Sequence, residues 1–430
     1  MVRMKDKASL KRRPKDYGRR DFLRMSAWLG VGSAVLPTTS HTLPDAGVRP
    51  KQSPVRRVRL GRTGVEISDL GFGTFALRDS DSDVALVRYA LARGITHFDT
   101  AEGYQDGESE KALGRALQGV RNQVTLTTKV WADENDREKD LIARLDGSLQ
   151  RLRTDRVDFL LNHAVNSPER MSNPEWQGFV ARAKQAGKIR YSGMSGHGPN
   201  LVPCLKSAFA EGQLDVILVA YNYIQSPDFL DSARVWIQQQ LGAVDWVALQ
   251  PDLVQFLAQA HEAGVGVMAM KTLRGARHND MRPFEKTGGT FAQAALRWVL
   301  SDTRVDSAMI TMKSRDAVDE YIAASGGKSP SGEDVAFLAR YEALNRGTQC
   351  IQGCGACLDH CPEGVPISDV LRVGMYERDY GERQIATRAY AELGRPGSEC
   401  MTCSGAPCAE ACPTGLPIRS EIVSASKRLG

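Results

Sequence analysis

Residues 95–104 read ITHFDTAEGY, a short apolar run that ends in Asp99 and turns at Gly103-Tyr104. Ahead of it, Asp83–Arg93 carries apolar residues at helical spacing, and Gly94 stands between the two. Glycine there suits a helix that leaves through a left-handed residue. Behind it, Ser109–Gln118 is again helix-period. Helix, glycine, strand, helix is a unit, and the same unit recurs outward in both directions. Strands are expected at Asp69–Phe75, Ile95–Asp99, Val124–Val130, Val157–Leu161, Ile189–Met194, Val216–Ala220, Val265–Met270 and Ala308–Thr311. Helices are expected between them at 138–152, 168–186, 252–263, 291–300 and 315–324, with Gly119, Gly187 and Gly264 again preceding strands. Eight strands alternating with helices over residues 55–325 predict a (β/α)8 TIM barrel. The rival is a doubly wound sheet, but Gly71-Phe72-Gly73 stops short of the G-x-G-x-x-G loop that such a sheet places after its first strand. Residues 225–250 exceed a normal connection and read as an inserted loop.

Barrel active sites lie at the carboxyl ends of the strands. Titratable side chains collect there on three adjacent strands: Asp99 and Tyr104 after the second, Lys129 at the end of the third, His163 after the fourth. A lone terminal Lys is usually solvated and a lone His usually structural; the joint placement is the signal.

At these residues the sequence resembles the aldo-keto reductase family. FDTAEGYQDGESEKALGRAL (98–117) resembles the stretch around the family's catalytic Asp and Tyr, VTLTTKV (124–130) the strand with its Lys, and DFLLNH (158–163) the strand with its His. GKIRYSGMSG (187–196) and AALRWVL (294–300) resemble its fifth strand and penultimate helix. The resemblance implies an NAD(P)-dependent oxidoreductase acting on a small carbonyl or alcohol. Tyr104 would give the proton, Lys129 would lower its pKa, Asp99 would hold Lys129, and His163 would orient the substrate oxygen. Ser195 would help hold the nicotinamide. Lys313, Ser314 and Arg315, opening a helix, would suit a 2′-phosphate and favour NADP(H). Departures from the family are Gly196 for its Asn, Leu218 for its Gln and Met270 for its stacking aromatic.

Eight of the nine cysteines lie in the final 81 residues, in two runs. The first is Cys350-x3-Cys354-x2-Cys357-x3-Cys361-Pro and the second Cys400-x2-Cys403-x4-Cys408-x3-Cys412-Pro, each followed by Gly and then Pro-Ile. Structural disulfides rarely use such close pairs, and zinc prefers two separated C-x2-C knuckles. Three close cysteines with a fourth in Cys-Pro suit iron–sulfur ligation, so two [4Fe–4S] clusters are expected, with zinc the alternative. By analogy with two-cluster ferredoxins, one cluster takes Cys350, Cys354, Cys357 and Cys412, and the other Cys361, Cys400, Cys403 and Cys408. Residues 367–393 read as two short helices meeting at Tyr380-Gly381, so 345–430 resembles a small α-helical ferredoxin-like two-cluster domain. A branch of the aldo-keto reductases carries such a region. Cys204 reads as a buried small side chain, and His360 as a cluster neighbour rather than a ligand.

Composition is that of a globular chain, 42% apolar and 25% charged, with net charge +5. Residues 1–24 alone carry +7, which leaves the rest of the chain at −2 and gives no basic face for nucleic acid. A basic segment through Arg19-Arg20-Asp21-Phe22-Leu23, an apolar stretch from Ser26 to Leu36, and a polar flank follow in order. That stretch is too short to span a bilayer. The layout over 1–46 is that of an export signal, and the paired arginines resemble the twin-arginine type, whose machinery moves folded cargo to the periplasm or cell envelope. A redox partner protein is expected for the clusters. Hydride carries two electrons and a cluster one, and export removes the chain from the nicotinamide pool; a barrel that has lost catalysis and serves electron transfer or structure is therefore the alternative reading.

Overall fold

The computed structural model describes residues 55–225, 229, 251–274, 281–285, 289–345 and 347–430. The export segment, its proline-containing linker and almost all of the 225–250 loop lie outside these residues.

The described chain opens on a hairpin of β1 (Arg57–Arg59) and β2 (Glu66–Ser68). The barrel strands follow: β3 (Leu70–Gly73), β4 (His97–Asp99), β5 (Thr125–Val130), β6 (Val157–Asn162), β7 (Ile189–Gly196), β8 (Val216–Ala220), β9 (Gly266–Met270) and β10 (Ser307–Thr311). All pair in parallel in sequence order, and β10 closes on β3 through Ala308↔Leu70 to Thr311↔Gly73. Each expected strand is present, shifted by at most two residues at either end. The helices between them are α1 (Asp81–Ala92), α2 (Glu108–Ala116), α3 (Glu138–Leu152), α4 (Glu169–Ser172), α5 (Pro174–Gln185), α6 (Leu201–Ala210), α7 (Pro251–Glu262), α8 (Phe291–Ser301) and α9 (Arg315–Ile322). The single helix expected over 168–186 is two. Asn173 breaks it, its side chain accepting the Glu175 N–H while Pro174 supplies the fixed φ of a first helical residue. Gly94 and Gly187 leave their helices at φ 100° and 71°, as the sequence pattern requires.

The hairpin was not foreseen, because its strands are three residues long. It plugs the amino-terminal end of the barrel: Leu60, Val65 and Ile67 join Phe159, Leu161, Val216, Leu218, Met268 and Met309 in one apolar cluster. Inside the barrel, β3 runs close to Met309, where a Cβ on Gly71 would meet the Met309 side chain at 2.2 Å. The larger core lies between strands and helices.

After α10 (Gly332–Asn345) come α11 (Ile367–Arg378), α12 (Arg383–Glu392), α13 (Glu399–Thr402), α14 (Pro407–Glu410) and α15 (Ile418–Leu429). The two helices foreseen between the cysteine runs are α11 and α12, turning at Gly381 with φ 73°. The segment has an apolar cluster of its own, built on Val370, Val373, Ala386, Tyr390 and Ile422. It packs on the barrel's carboxyl-terminal rim as part of one compact unit, residues 52–430. Phe75 meets Tyr376 at 5.5 Å and Tyr380 at 6.4 Å between ring centroids. Glu382 accepts hydrogen bonds from Arg78 and Gln105, each 3.1 Å.

Candidate active site and thiol sets

Three neighbouring strands deliver Asp99, Lys129 and His163 to one rim, as their parallel pairing dictates. Lys129 Nζ donates to Asp99 Oδ1 (2.7 Å) and to the Thr100 carbonyl (2.7 Å), and stands 3.4 Å from Tyr104 Oη. Both members of the Lys129–Asp99 pair are buried, and Asp99 Oδ2 has no hydrogen-bond partner among the described residues. The Tyr104 ring meets the His163 ring edge-on at 5.5 Å. The turns behind the rim residues are held in left-handed conformations by non-glycine residues: Gln105 and Asp106 after Tyr104, and Ala164 after His163.

Burial dominates the electrostatics. It pulls the Lys129 pKa down although Asp99 opposes it, and pushes the Asp99 pKa up although Lys129 opposes it. It raises Tyr104 well above the ordinary phenol, with Asp99 and Tyr376 adding to the rise. Sequence reasoning expected Lys129 to lower Tyr104; in this arrangement burial and the Asp99 charge outweigh it, and the phenol keeps its proton. His163 is pushed far below the usual imidazole by burial, then by Lys129 and Arg170, so it is neutral.

A cavity of about 1100 Å³ opens above these residues. Its wall runs from Ser195 past Leu218 and Met270 to Thr311 and Lys313, and its roof is Tyr376, Tyr380 and Arg372 of the carboxyl-terminal segment. Ser195 Oγ accepts the Ala164 N–H at 3.0 Å and so buttresses the turn after His163. The three residues proposed for a 2′-phosphate are placed apart. Lys313 Nζ donates to the Tyr380 carbonyl (3.0 Å) and stands 3.5 Å from Glu382. Ser314 caps α9 by accepting the Ala317 N–H. Arg315 lies over the Tyr89 ring at 5.1 Å and does not line the cavity.

Sequence reasoning missed His197, Lys271, Arg372 and Tyr376, which line the same cavity. His197 and Lys271 lie within two residues of the carboxyl ends of β7 and β9, so the rim rule could have found them. Arg372 and Tyr376 come from α11, four residues apart on one face, a spacing that also describes an ordinary solvated helix. Arg372 Nη1 donates to Tyr376 Oη at 3.0 Å, and Arg372 Nη2 to Asp369 at 2.8 Å. Burial alone would raise Tyr376, but Lys271 and Arg372 bring its phenol down to about 8.

The cysteines form two sets. Burial lifts the Cys350 thiol to about 12, and its thiol neighbours are Cys354, Cys357 and Cys412. Burial lifts Cys400 to about 11, and its thiol neighbours are Cys361, Cys408 and Cys403. The two sets adjoin, for Cys357 of the first also feels Cys408 of the second. The sequence repeat is also a structural one. Gly364 and Gly415 take φ 63° and 69°, and the N–H of the following residue turns back on the Cys-Pro thiol: Val365 on Cys361 and Leu416 on Cys412, each 3.4 Å. Among the described residues, no three His, Cys, Asp or Glu side chains converge tightly enough for a single metal ion. Cys204 is fully buried, as expected. His360 is exposed and bonds the Ala356 carbonyl.

The family model for the aldo/keto reductase family matches residues 69–231. The chain is 32% identical to the methylglyoxal reductase DkgB of Salmonella typhimurium, over 55% of this chain and 79% of that one. It is 26% identical to the L-glyceraldehyde 3-phosphate reductase of Escherichia coli K12, over 66% of this chain and 91% of that one. Among solved structures it is similar to the thermostable aldo-keto reductase Tm1743 bound to the inhibitor epalrestat (TM-score 0.51, 27% identity, 66% and 99% covered). It is also similar to an aldo-keto reductase of Klebsiella pneumoniae in complex with NADPH (TM-score 0.50, 25% identity, 67% and 95% covered).

Proposed function

The chain belongs to the aldo/keto reductase family, and from that premise we propose that it reduces the carbonyl of a small molecule with NADP(H) and carries two [4Fe–4S] clusters that exchange electrons with a partner protein. The observation that carries the reductase reading is the buried Lys129 ammonium, 2.7 Å from Asp99 and 3.4 Å from the Tyr104 phenol at the base of the cavity.

When bound, the nicotinamide supplies hydride to the carbonyl carbon. The chain's part is to position the oxygen and protonate it. The neutral His163 imidazole and the Tyr104 phenol face the same space, so both can donate to a carbonyl oxygen there. As negative charge grows on that oxygen, Tyr104 gives up its proton, and the adjacent ammonium then stabilises the phenolate. Asp99 keeps Lys129 in place and charged against its burial. The cavity fits a dinucleotide in extent, reaching from Ser195 to Lys313 along the β9 and β10 ends. Its far end would have to share Lys313 with Glu382. Tyr104→Phe is expected to abolish NADPH-dependent carbonyl reduction while NADPH still binds; undiminished turnover refutes the assignment.

The two crossed thiol sets support the cluster reading. Cys350 and Cys400 each have three other thiols within charge range, and three close cysteines with a fourth in Cys-Pro are the donor set of a [4Fe–4S] cluster. The backbone N–H groups on Cys361 and Cys412 are the kind of hydrogen bond that tunes such a centre. The clusters, when bound, supply one-electron transfer. Export through the twin-arginine route to the periplasm or cell envelope agrees with this, because clusters are inserted before transport of a folded chain.

Leu218 and Met270 in the cavity wall favour a second reading, a barrel kept for electron transfer or structure without catalysis. A protein that binds no NADPH and reduces no carbonyl would support it.

A further inference from the structure

Resting on the reductase reading, we infer that Lys271 and Arg372 form an anion subsite beside the carbonyl site, and that the substrate is an oxo acid, or in reverse a hydroxy acid, whose carboxylate they hold.

The five carboxylates that line the cavity are each answered by a cation. Asp99 has Lys129, Glu102 has Arg144, Asp106 and Glu392 share Arg388, and Asp379 has Arg378. Lys271 has none among the described residues. Its ammonium lies against the Tyr376 phenol, 5.8 Å from the ring centroid, and its charge neighbours are Tyr376 and Arg372. A recessed ammonium without a carboxylate is costly, and a bound anion relieves the cost. The chain also spends backbone energy to place it, for Lys271 takes a left-handed φ of 57°. Arg372 adds a guanidinium that has committed one nitrogen to Asp369 and one to Tyr376.

Placement sets the substrate's size. Lys271 and Arg372 lie within charge range of His163, and both also act on His197. Tyr104 and Tyr376 are linked by Phe75, at 5.3 and 5.5 Å between ring centroids. One compact molecule can therefore reach the proton donor with its carbonyl and the cations with its carboxylate. Reduction adds hydride at the carbonyl carbon and the Tyr104 proton at its oxygen; the carboxylate is unchanged. The same cations also border a small cavity that reaches Cys350, but the cation acting on that thiol is Arg274. This places Lys271 and Arg372 with the carbonyl site rather than with the thiols.

The test uses the full, cluster-loaded chain with NADPH and two matched probes, benzoylformate and its neutral amide. An ammonium or guanidinium contact to a carboxylate corresponds to about 10- to 100-fold in affinity. Wild type is expected to favour the acid by at least about tenfold in kcat/KM, and Lys271→Met and Arg372→Gln are each expected to collapse that ratio, mainly through KM. Calorimetric titration of both probes into the NADP⁺-bound protein gives the same comparison without turnover. Equal handling of acid and amide by wild type in both assays overturns the inference. So does a loss in Lys271→Met that is the same for both probes, a loss confined to NADPH affinity, or a shift confined to the cluster potential. If neither probe is reduced but the acid binds selectively and Lys271→Met removes that selectivity, the subsite stands and the reductase reading fails.

Discussion

Replacing Glu342 by Gln should destabilise the protein by stranding a buried guanidinium. Glu342, on α10, is 4% exposed in its side chain and faces Arg274, which is 2% exposed, in the turn after β9. Arg274 Nε and Nη2 donate to its two oxygens at 2.8 and 2.9 Å, and the Tyr223 hydroxyl donates to Oε1 at 2.8 Å. The amide keeps an acceptor for Tyr223 but presents an NH₂ to Arg274 and leaves the guanidinium uncompensated. Breaking one side of a buried pair costs about 3–5 kcal/mol. With an unfolding entropy of about 2.1 cal/mol/K per residue over roughly 380 residues, that becomes a fall in Tm of about 4–6 °C. Scanning calorimetry of the full-length protein measures it. The added change Arg274→Met removes the stranded charge, so the double variant should recover part of the loss. A Tm for Glu342→Gln within about 1 °C of wild type, or a double variant no better than the single, refutes the reasoning.

Cys412→Ser should halve the iron, and adding Cys350→Ser should remove no more, because both thiols belong to one set; complete loss in the double variant would show that each run holds its own cluster. His97 is buried between Thr125 and Thr127, and burial lowers its pKa to about 4. The folded state then binds fewer protons than the unfolded one between pH 6.5 and 4, so stability falls with pH across that window, by about 3 kcal/mol at pH 4. His97→Gln should lack this component in urea denaturation at pH 7 and pH 4, and equal losses in the two proteins would contradict it. Arg19→Lys with Arg20→Lys should retain the protein in the cytoplasm on cell fractionation, and normal export would remove the twin-arginine reading.

What could be read from the sequence is what short-range pattern controls. A strand end and the turn behind it are local, so Asp99, Tyr104, Lys129 and His163 could be placed on one rim from the eightfold repeat alone. The cysteine repeat was equally local, and its crossed pairing followed by analogy. The roof was not legible. That Glu382 gathers Arg78, Gln105 and Lys313, and that Tyr376 meets Phe75, depends on how a segment 300 residues downstream docks on the barrel. No periodicity encodes such docking. The 2′-phosphate expectation turns on the same docking. Lys313, Ser314 and Arg315 are adjacent in sequence, but a cap, a ring and a carboxylate from another segment each claim one of them.

The crossed thiol sets bear on the order in which the protein can be completed during synthesis. The set beside the barrel draws its first three thiols, Cys350, Cys354 and Cys357, from the earlier run, yet its fourth is Cys412. The outer set, Cys361, Cys400, Cys403 and Cys408, is whole four residues sooner. A ribosome therefore releases the inner set's first three members before any of the second run, and its last member after the whole of the outer set. A chain that stops at residue 411 keeps the four thiols of the outer set and lacks the inner set's fourth.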